Sequence, residues 1–486
     1  MKAIVIGGGI IGNSVAWRLA REGVAVTVLE RGRAGQEASW AAAGMIAPQA
    51  EAQGPGPFFD LCVKARDVFA ATVEGLRSES GIDPEYDDAG ILYVAFDAAE
   101  QAELEERARW QSGAGGAVEE LSGDEARRLE PGLAAEVVYA IHMPNDRRTD
   151  NRQLTRAYAA AAVARGAQIR EGARVEGIII QGGRATGVRI HGGEEVAADV
   201  VINAAGAWAG EIRGFEDDRV VIAPIRGQML CFEGLRALAG PAVFSMHGYI
   251  VPRRDGRLLA GSTMEDAGYD KRVTLEGIEK ISRGARKMMP ALGGIAFREA
   301  WAGLRPATRD WMPVLGASPS VANVFYAAGH FRSGILLSAL TGEILADLIH
   351  GRAPAVDLKP FSPGRFAAPN KAQAIGLVRD MLFRSRIDAA ARVLGVEVAY
   401  AATLEQASAR YAEIRPAVVF ADLSDANFPA AATASAIKRN GGVGARLVGF
   451  ASHVDLKSLA AARDAGFDLT LSRSEFTSRL AELLRS

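Results

Sequence analysis

The sequence predicts an α/β fold, and three observations carry that prediction. A glycine-punctuated strand, turn, helix and strand open the chain. Ala-rich segments with helical spacing alternate with Val/Ile-rich runs over the rest of its length. A proline-containing stretch, Arg352 to Asn370, then separates a first part from a second in which the same alternation restarts. The length, 486 residues, suits two or three domains, and 49% apolar residues suffice to fill their cores.

The first strand is Lys2-Ala3-Ile4-Val5-Ile6, and Gly7-Gly8-Gly9-Ile10-Ile11-Gly12 follows at once. An apolar helix runs to Arg21, and a second strand, Val24 to Leu29, ends at Glu30. Gly7 permits a tight turn, Gly9 lets a pyrophosphate approach the backbone, and Gly12 lets the helix pack close to the strand. The helix N-terminus offers free N–H groups and partial positive charge to phosphates. Glu30, 18 residues after Gly12, stands where a carboxylate takes ribose hydroxyls. This order is that of a dinucleotide site. The three adjacent glycines, with no small-residue cleavage site after them, argue against a signal peptide.

Gly35 to Met45 reads as a loop of small residues, and Phe58 to Ser80 as a helix stopped by Gly81. Ile91 to Ala95 is a strand. Ser122-Gly123-Asp124-Glu125 is a capping box for a short helix that stops before Pro131. Leu154 to Arg165 is a helix stopped by Gly166. Val175–Ile180 and Ala185–Ile190 form a hairpin about Gly182-Gly183, and Asp199 to Asn203 is a buried strand. Gly248–Pro252 and Leu258–Gly261 form a second hairpin turned by Asp255-Gly256. Leu336 to Ile349 is a helix closed by Gly351. Beyond the linker come strands at 375–378, 396–400, 418–421, 447–451 and 469–471, with helices between them and a last helix over 474–484.

Composition excludes several classes of function. Lys and Arg number 56 against 58 Asp and Glu, which leaves no basic surface for nucleic acid or a membrane. No uncharged apolar run reaches membrane-spanning length. Cys62 and Cys231 are the only cysteines and lie far apart, so a disulfide scaffold or thiolate metal site is not expected and a reducing cytoplasm is. The six histidines show no metal-ligand spacing, and no metal is expected.

Three further segments sharpen the dinucleotide reading. Ser39-Trp40-Ala41-Ala42-Ala43-Gly44-Met45 lets a flat ring lie against the backbone. Asn203-Ala204-Ala205-Gly206-Ala207-Trp208 is a strand end and glycine turn that can close over a nucleotide. Ala327-Ala328-Gly329-His330-Phe331-Arg332-Ser333-Gly334-Ile335-Leu336 is a loop entering a helix, whose N-terminus stabilises negative charge on a reduced ring.

Together with His247-Gly248-Tyr249-Ile250-Val251-Pro252-Arg253, Gly261-Ser262-Thr263-Met264 and Trp301-Ala302-Gly303-Leu304-Arg305-Pro306, these motifs give residues 1 to about 352 a specific resemblance to the D-amino-acid oxidase family of flavoproteins. Within it they are most similar to the branch that oxidises glycine for thiazole formation in thiamine biosynthesis. The resemblance implies a Rossmann-type FAD-binding domain (1–88, 146–222, 303–352) with an inserted α+β substrate domain (89–145, 223–302). It implies FAD, and oxidation of glycine, sarcosine or D-alanine to an imine with hydrogen peroxide as co-product. O2 is then the second substrate, the thiazole-forming enzyme a partner, and a homo-oligomer the expected assembly. The implied cofactor contacts are Gly7, Gly9, Ile10, Ile11 and Gly12; Glu30 and Arg31; Ser39, Ala43, Gly44 and Met45; Val175, Ala205, Gly206 and Trp208; and Arg305 with His330, Phe331, Arg332, Ser333, Gly334, Ile335 and Leu336.

Residue chemistry assigns the substrate contacts. A small amino acid needs its carboxylate clamped, and Arg305 supplies a planar bidentate fork. Tyr249 adds a hydroxyl, and the resemblance makes Arg332 a second contact. No side-chain base is needed if the amine binds neutral, so His247 is read as a hydrogen-bonding residue of the pocket. Met45 and Met264 fill the space of a larger side chain, or simply pack. The absence of any cysteine after Cys231 points to non-covalent FAD. Ala307 and the bulky Trp311 depart from the family pattern. Two other readings stand beside this one: a dehydrogenase passing electrons to a quinone, and a flavin-bearing redox sensor or scaffold.

The segment 353–371 reads as a linker, and 372–486 resembles a response-regulator receiver, a flavodoxin-like (βα)5 domain. Asp422 ends the third strand where the phospho-acceptor stands, and Ser452 follows the fourth. Arg379-Asp380 replaces the usual acid pair and Arg473 the usual lysine, so Mg²⁺ binding is disfavoured and a degenerate, contact-making receiver is expected.

Overall fold

The computed structural model describes residues 1–215, 218, 220–234, 240–366, 374–394, 396–414, 416–438, 445–452 and 455–484. The chain divides into two compact units, Met1–Ala367 and Ala368–Ser486.

The first unit is built on two sheets. In the first, Lys2–Ile6 lies between the parallel strands Ala25–Leu29 and Val200–Asn203. Gln168–Arg170 extends one side, and Val324–Ala328 and then the antiparallel Val314–Ala317 extend the other. Strand order reverses about Lys2–Ile6, and in such sheets the crevice beyond the strand ends is where ligands bind. The helix Ile10–Arg21 buries Ile10, Ile11, Val15, Trp17 and Leu19 against the core. It packs against the helix Gly334–Ile349 because Gly342 lacks a Cβ, which would lie 2.5 Å from Ser14 Oγ.

The second sheet has eight strands. Its edge is the twelve-residue Phe297–Thr308, paired antiparallel with the twelve-residue Ile222–Glu233 in continuous register from Ile222 opposite Thr308 to Cys231 opposite Glu299. The hairpin Gly248–Pro252 and Arg257–Gly261 comes next, followed by Ala242–Ser245, Ile91–Ala95, Tyr139–Met143 and Glu119–Ser122. Neither long strand is anticipated by the sequence reading. Pro224 and Pro306 face each other in this pair, and prolines weaken a strand signal everywhere except at an edge. The boundary expected at residue 303 falls inside Phe297–Thr308, so one strand serves both parts of the unit.

Other departures are local. Residues 58–80 form two helices, Pro57–Asp67 and Phe69–Ser80, because Val68, at φ −85° and ψ −7°, turns the chain between them. The helices Ala98–Gly113 and Leu275–Met288 occur where the sequence reading placed no element. The box at Ser122–Glu125 forms as expected, with Ser122 Oγ accepting from Glu125 N–H and the Glu125 carboxylate accepting from Ser122 N–H.

The second unit holds five parallel strands in the order Val398–Tyr400, Ala374–Leu377, Val418–Asp422, Arg446–Ala451, Leu469–Ser472. Helices alternate with them along the chain. No helix among the described residues is long and apolar enough to cross a membrane.

Candidate active site

A cleft of about 1100 Å³, counting its open mouth, lies where the first sheet's crevice meets the edge of the second. Its floor is the glycine turn. Gly7 takes φ +104°, and a Cβ there would lie 2.5 Å from Ala204 O. A Cβ on Gly12 would lie 1.9 Å from Gly7 O. These two glycines serve the turn and the packing, and they lie behind the cleft wall. Gly9, Ile10 and Ile11 line it. The helix they open has no acidic residue in its first turn and no side-chain cap, so its positive end is free for an anion.

The segment Ser39–Met45 forms one wall, with Ser39, Ala43, Gly44 and Met45 all lining it. Ser39 Oγ accepts from Ile10 N–H at 2.9 Å, which ties this wall to the floor. A buried polar knot holds the wall from behind. Asn151 donates to Ser39 O at 2.7 Å and Trp40 O at 3.1 Å. Arg253 donates to Ala43 O at 2.9 Å, Thr149 O at 2.7 Å and Asn151 Oδ1 at 2.7 Å. Full burial lowers the Arg253 pKa to about 10. Gly44, at φ +78°, is required here, since a Cβ would meet Thr149 O at 2.0 Å.

The loop from His330 to Gly334 and the helix behind it form the opposite wall, which includes Phe331, Ser333, Ile335 and Leu336. His330 is buried and bonds Thr341 Oγ1 at 3.1 Å, and burial pushes its pKa down to about 3. The helix Gly334–Ile349 also has no acid in its first turn and no side-chain cap. Trp311, at φ +61°, sets its ring edge against Phe331, 4.6 Å between centroids, behind the cleft wall. Ala307 is buried and forms a β-bridge with His330.

The end wall comes from the second sheet. Arg305 Nη2 donates to Ser262 Oγ at 2.7 Å, and Nη1 to Thr263 O at 3.1 Å. An arginine has five donors, and these two bonds leave the rest to Tyr249 and a ligand. Burial lowers the Arg305 pKa from the usual arginine value, the neighbouring Tyr249 hydroxyl opposes that, and the nearby Arg332 charge adds to it. A Cβ on Gly227 would lie 2.1 Å from Arg305 Nη1, so the fork fits only because residue 227 is glycine. Tyr249 donates to Met229 Sδ at 3.3 Å, and both line the cleft.

Several expected contacts lie elsewhere. His247 is outside the cleft: it bonds Glu100 Oε1 at 3.0 Å and Lys287 Nζ at 2.5 Å, held there by the helix Leu275–Met288. Met264 is half-buried and does not line the cleft; Met229, on the neighbouring strand, supplies the second thioether beside Met45. Val175 is buried in the core with Ile4, Ile6 and Leu29. Arg31 stacks on Trp208, 4.2 Å from the ring centroid, and Trp208 stacks on Tyr269, all beyond the cleft lining. Ala205 also lies outside the lining, between Ala204 and Gly206, which belong to it. The Glu30 carboxylate accepts from Gly8 N–H and Gly32 N–H, each at 2.8 Å, which leaves further lone pairs on both oxygens.

Besides Met229, a charged residue of the cleft is absent from the sequence reading. Glu51 sits in the wall beside Arg332, with 3.0 Å between Oε2 and Nε, and the Arg332 Nη2 donates to Oε1 at 3.2 Å. Burial works against the Arg332 charge, but the Glu51 carboxylate with the Tyr249 and Tyr93 hydroxyls together outweigh it and raise the pKa. The only sequence signal for Glu51 was an acid one turn after the Ala-Gly-Met segment.

The cleft fits FAD: two uncapped helix N-termini face it, Gly9 has only Ser39 Oγ within 4 Å of its absent Cβ, and one wall is built of alanines and glycine. The FAD dependent oxidoreductase (DAO) family matches residues 2–348. The chain belongs to that family. The family match covers the whole FAD-binding and end-wall region, so the first unit is an FAD-dependent oxidoreductase.

The chain is similar to the bifunctional protein ThiO/ThiG of Synechocystis sp., 36% identical over 373 residues, 75% of this chain and 54% of that one; it thus spans about half of that relative's length. The crystal structure of glycine oxidase from Geobacillus kaustophilus matches with a TM-score of 0.72 at 33% identity, covering 75% of this chain and 98% of that one. Iminodiacetate oxidase from Chelativorans sp. BNC1 matches with a TM-score of 0.69 at 31% identity, over 74% and 98% of the respective chains.

In the second unit, Asp422 is buried at the end of its strand, 3.1 Å from Arg473 Nη2. Burial raises its pKa, and Arg473 opposes that. Asp380 Oδ1 accepts from Leu382 N–H and Phe383 N–H, so it caps a helix. Arg379 reaches Asp425 at 3.6 Å. Ser452 is half-buried. Among the described residues no group of three or more His, Cys, Asp or Glu side chains can hold a metal ion.

Proposed function

We propose that the first unit oxidises glycine or a similarly small primary or secondary amine, such as sarcosine or D-alanine, to the imine. The observation that carries this is the Arg305 fork, held by Ser262 Oγ and Thr263 O and set against the alanine-lined wall of a dinucleotide cleft. Gly9, Ile10, Ser39, Ala43 and Gly44 would hold FAD, which would supply a two-electron hydride acceptor for the substrate α-carbon, with O2 as the final oxidant and hydrogen peroxide as co-product. Arg305 grips the carboxylate bidentately, and Tyr249 adds its hydroxyl. This fixes the α-carbon and its C–H bond toward the ring, which is the contribution of positioning to the rate. His247 lies outside the cleft, and His330, which lines it, is bonded to Thr341 Oγ1, so a neutral amine is the form that needs no side-chain base. Met45 and Met229 close the space where a larger side chain would sit.

The similarity to glycine oxidase supports this substrate, and the relative named ThiO/ThiG supports a thiazole-forming enzyme as partner. A cytoplasmic homo-oligomer suits both. The second unit's strand order, second-first-third-fourth-fifth, supports a flavodoxin-like, receiver-type reading. Within that reading, Arg473 on Asp422 and the capping role of Asp380 favour a degenerate domain used for contacts.

Anaerobic addition of glycine, sarcosine and D-alanine to the FAD-loaded protein tests the proposal. Bleaching of the flavin by at least one of them is expected. A flavin that stays oxidised with all three refutes it, and bleaching without oxygen uptake in air favours a quinone-linked dehydrogenase.

A further inference from the structure

Two guanidinium groups and one carboxylate enter the cleft, and they are not equivalent. Arg305 is bonded only to uncharged groups, Ser262 Oγ, Thr263 O and the Tyr249 hydroxyl, and no carboxylate among the described residues occupies it. Arg332 is engaged by Glu51, whose side chain is only 9% exposed. The segment that carries Glu51 is fastened on both sides. Arg107 Nη1 donates to Gln49 O at 2.9 Å and to Ala52 O at 2.8 Å. Gln111 donates to Gln49 O at 2.7 Å. The buried Asp146 accepts from Ala50 N–H at 2.9 Å and Gln49 N–H at 3.3 Å. The backbone that carries Glu51 is therefore fixed beside the cleft, and the ion pair with Arg332 orients its side chain.

We infer that Glu51 is a specificity-determining residue: by occupying Arg332 and presenting negative charge beside it, it restricts the cleft to amines that carry a single anionic group. The inference rests on the amine-oxidase reading above. A substrate with one carboxylate needs one free arginine, and the cleft supplies one. A second carboxylate on the amine nitrogen would have to displace Glu51 from Arg332 or lie against it. Selectivity of this kind comes from a repulsive group placed against the unwanted ligand as much as from attraction to the wanted one. A structure of this fold is named iminodiacetate oxidase, so the fold alone does not exclude a second carboxylate.

The test compares ligands that differ only in the second carboxylate. Diglycolate and methoxyacetate carry an ether oxygen in place of the amine nitrogen and cannot be oxidised to an imine. Their dissociation constants are read from the flavin absorbance of the FAD-loaded enzyme. The wild type is expected to bind methoxyacetate at least about tenfold more tightly than diglycolate, or about 1.4 kcal/mol. Glu51→Gln should reverse or abolish that preference, and should raise kcat/KM for iminodiacetate relative to sarcosine by about tenfold. Glu51→Asp, which keeps the charge, should retain the wild-type preference. If the Gln variant does not fold, the wild-type ratio decides: equal binding of the two ethers overturns the inference, as do unchanged ratios in a folded Gln variant. A wild type that binds neither ether and is not bleached by any monocarboxylic amine overturns the amine-oxidase reading itself.

Discussion

Gly227→Ala isolates the Arg305 fork without touching any ionisable group. Gly227 lies mid-strand opposite Gly303, in a pair that any residue can occupy as far as backbone conformation is concerned. A Cβ would stand 2.1 Å from Arg305 Nη1 and 2.4 Å from Cζ and Nη2. Ordinary contact needs about 3.5 Å, so the guanidinium must withdraw by more than an ångström and give up Ser262 Oγ, Thr263 O or both. Each hydrogen bond between arginine and a substrate carboxylate is worth roughly 1.5–3 kcal/mol. Losing one arm of the fork then lowers kcat/KM for glycine by a factor of about 10 to 150, mainly through KM. The fold itself should be spared, because a strand-centre alanine has less backbone entropy to lose than glycine. Steady-state oxygen uptake with glycine measures the first effect and thermal melting by circular dichroism the second. A variant with wild-type melting and kcat/KM within threefold of wild type would show that Arg305 is not the carboxylate ligand.

Three other predictions follow from the same walls. Asn151→Ala removes the donor that holds Ser39 O and Trp40 O, so FAD affinity should fall by about 5- to 150-fold, for a loss of roughly 1–3 kcal/mol; fluorescence titration of the apoprotein with FAD measures it, and unchanged affinity would place the ring away from this wall. His330 titrates at about 3 in the fold against ~6.5 unfolded, so the unfolded state binds more protons between those values; stability is full above the unfolded pKa and falls on acidification, by about 2 kcal/mol at pH 5. Urea unfolding at pH 7 and pH 5 should show that loss in the wild type and a smaller one in His330→Asn, and equal losses would exclude His330 as the source. Acid precipitation should leave the yellow colour in the supernatant, because neither cysteine lies in the cleft wall and Cys62 is a buried thiol whose pKa burial raises well above its usual value; a coloured pellet would mean covalent flavin.

The parts of the molecule read most fully from sequence are those whose information is local. The glycine turn, the capping box at Ser122 and the hairpin turned by Asp255-Gly256 each depend on residues a few positions apart. The end wall depends on pairing between residues 222–233 and 297–308, and neither strand announces itself, because each carries glycine and proline where a strand should be β-branched. Met229 was overlooked for that reason: without a strand there is no alternation to say which way it faces. Met264 was preferred because it lies in the Gly-Ser-Thr-Met motif, but the motif's contribution to the site is the Ser262 hydroxyl and the Thr263 carbonyl that hold the fork. Glu51 shows the same limit from another side. Its role is set by Arg107 and Gln111 on one helix, Asp146 and Arg332, which come from three distant stretches of chain.

The opposed glycines at 227 and 303 explain why the two sheets can share one site. On one strand the missing Cβ admits the Arg305 guanidinium. On the other, the missing Cβ admits Ala41, whose own Cβ would otherwise be 2.5 Å away. Ala41 belongs to the wall that Ser39 ties to the dinucleotide turn, while Arg305 belongs to the edge strand of the second sheet. Trp301 reinforces the same junction by donating its indole N–H to Ala41 O at 3.0 Å. A larger residue at 303 would push the ring-facing wall outward, and one at 227 would pull the fork back. Either change alters the distance between the group that holds the carboxylate and the wall that holds the ring, and hydride transfer tolerates an error of about 1 Å only at a cost near 10²-fold in rate.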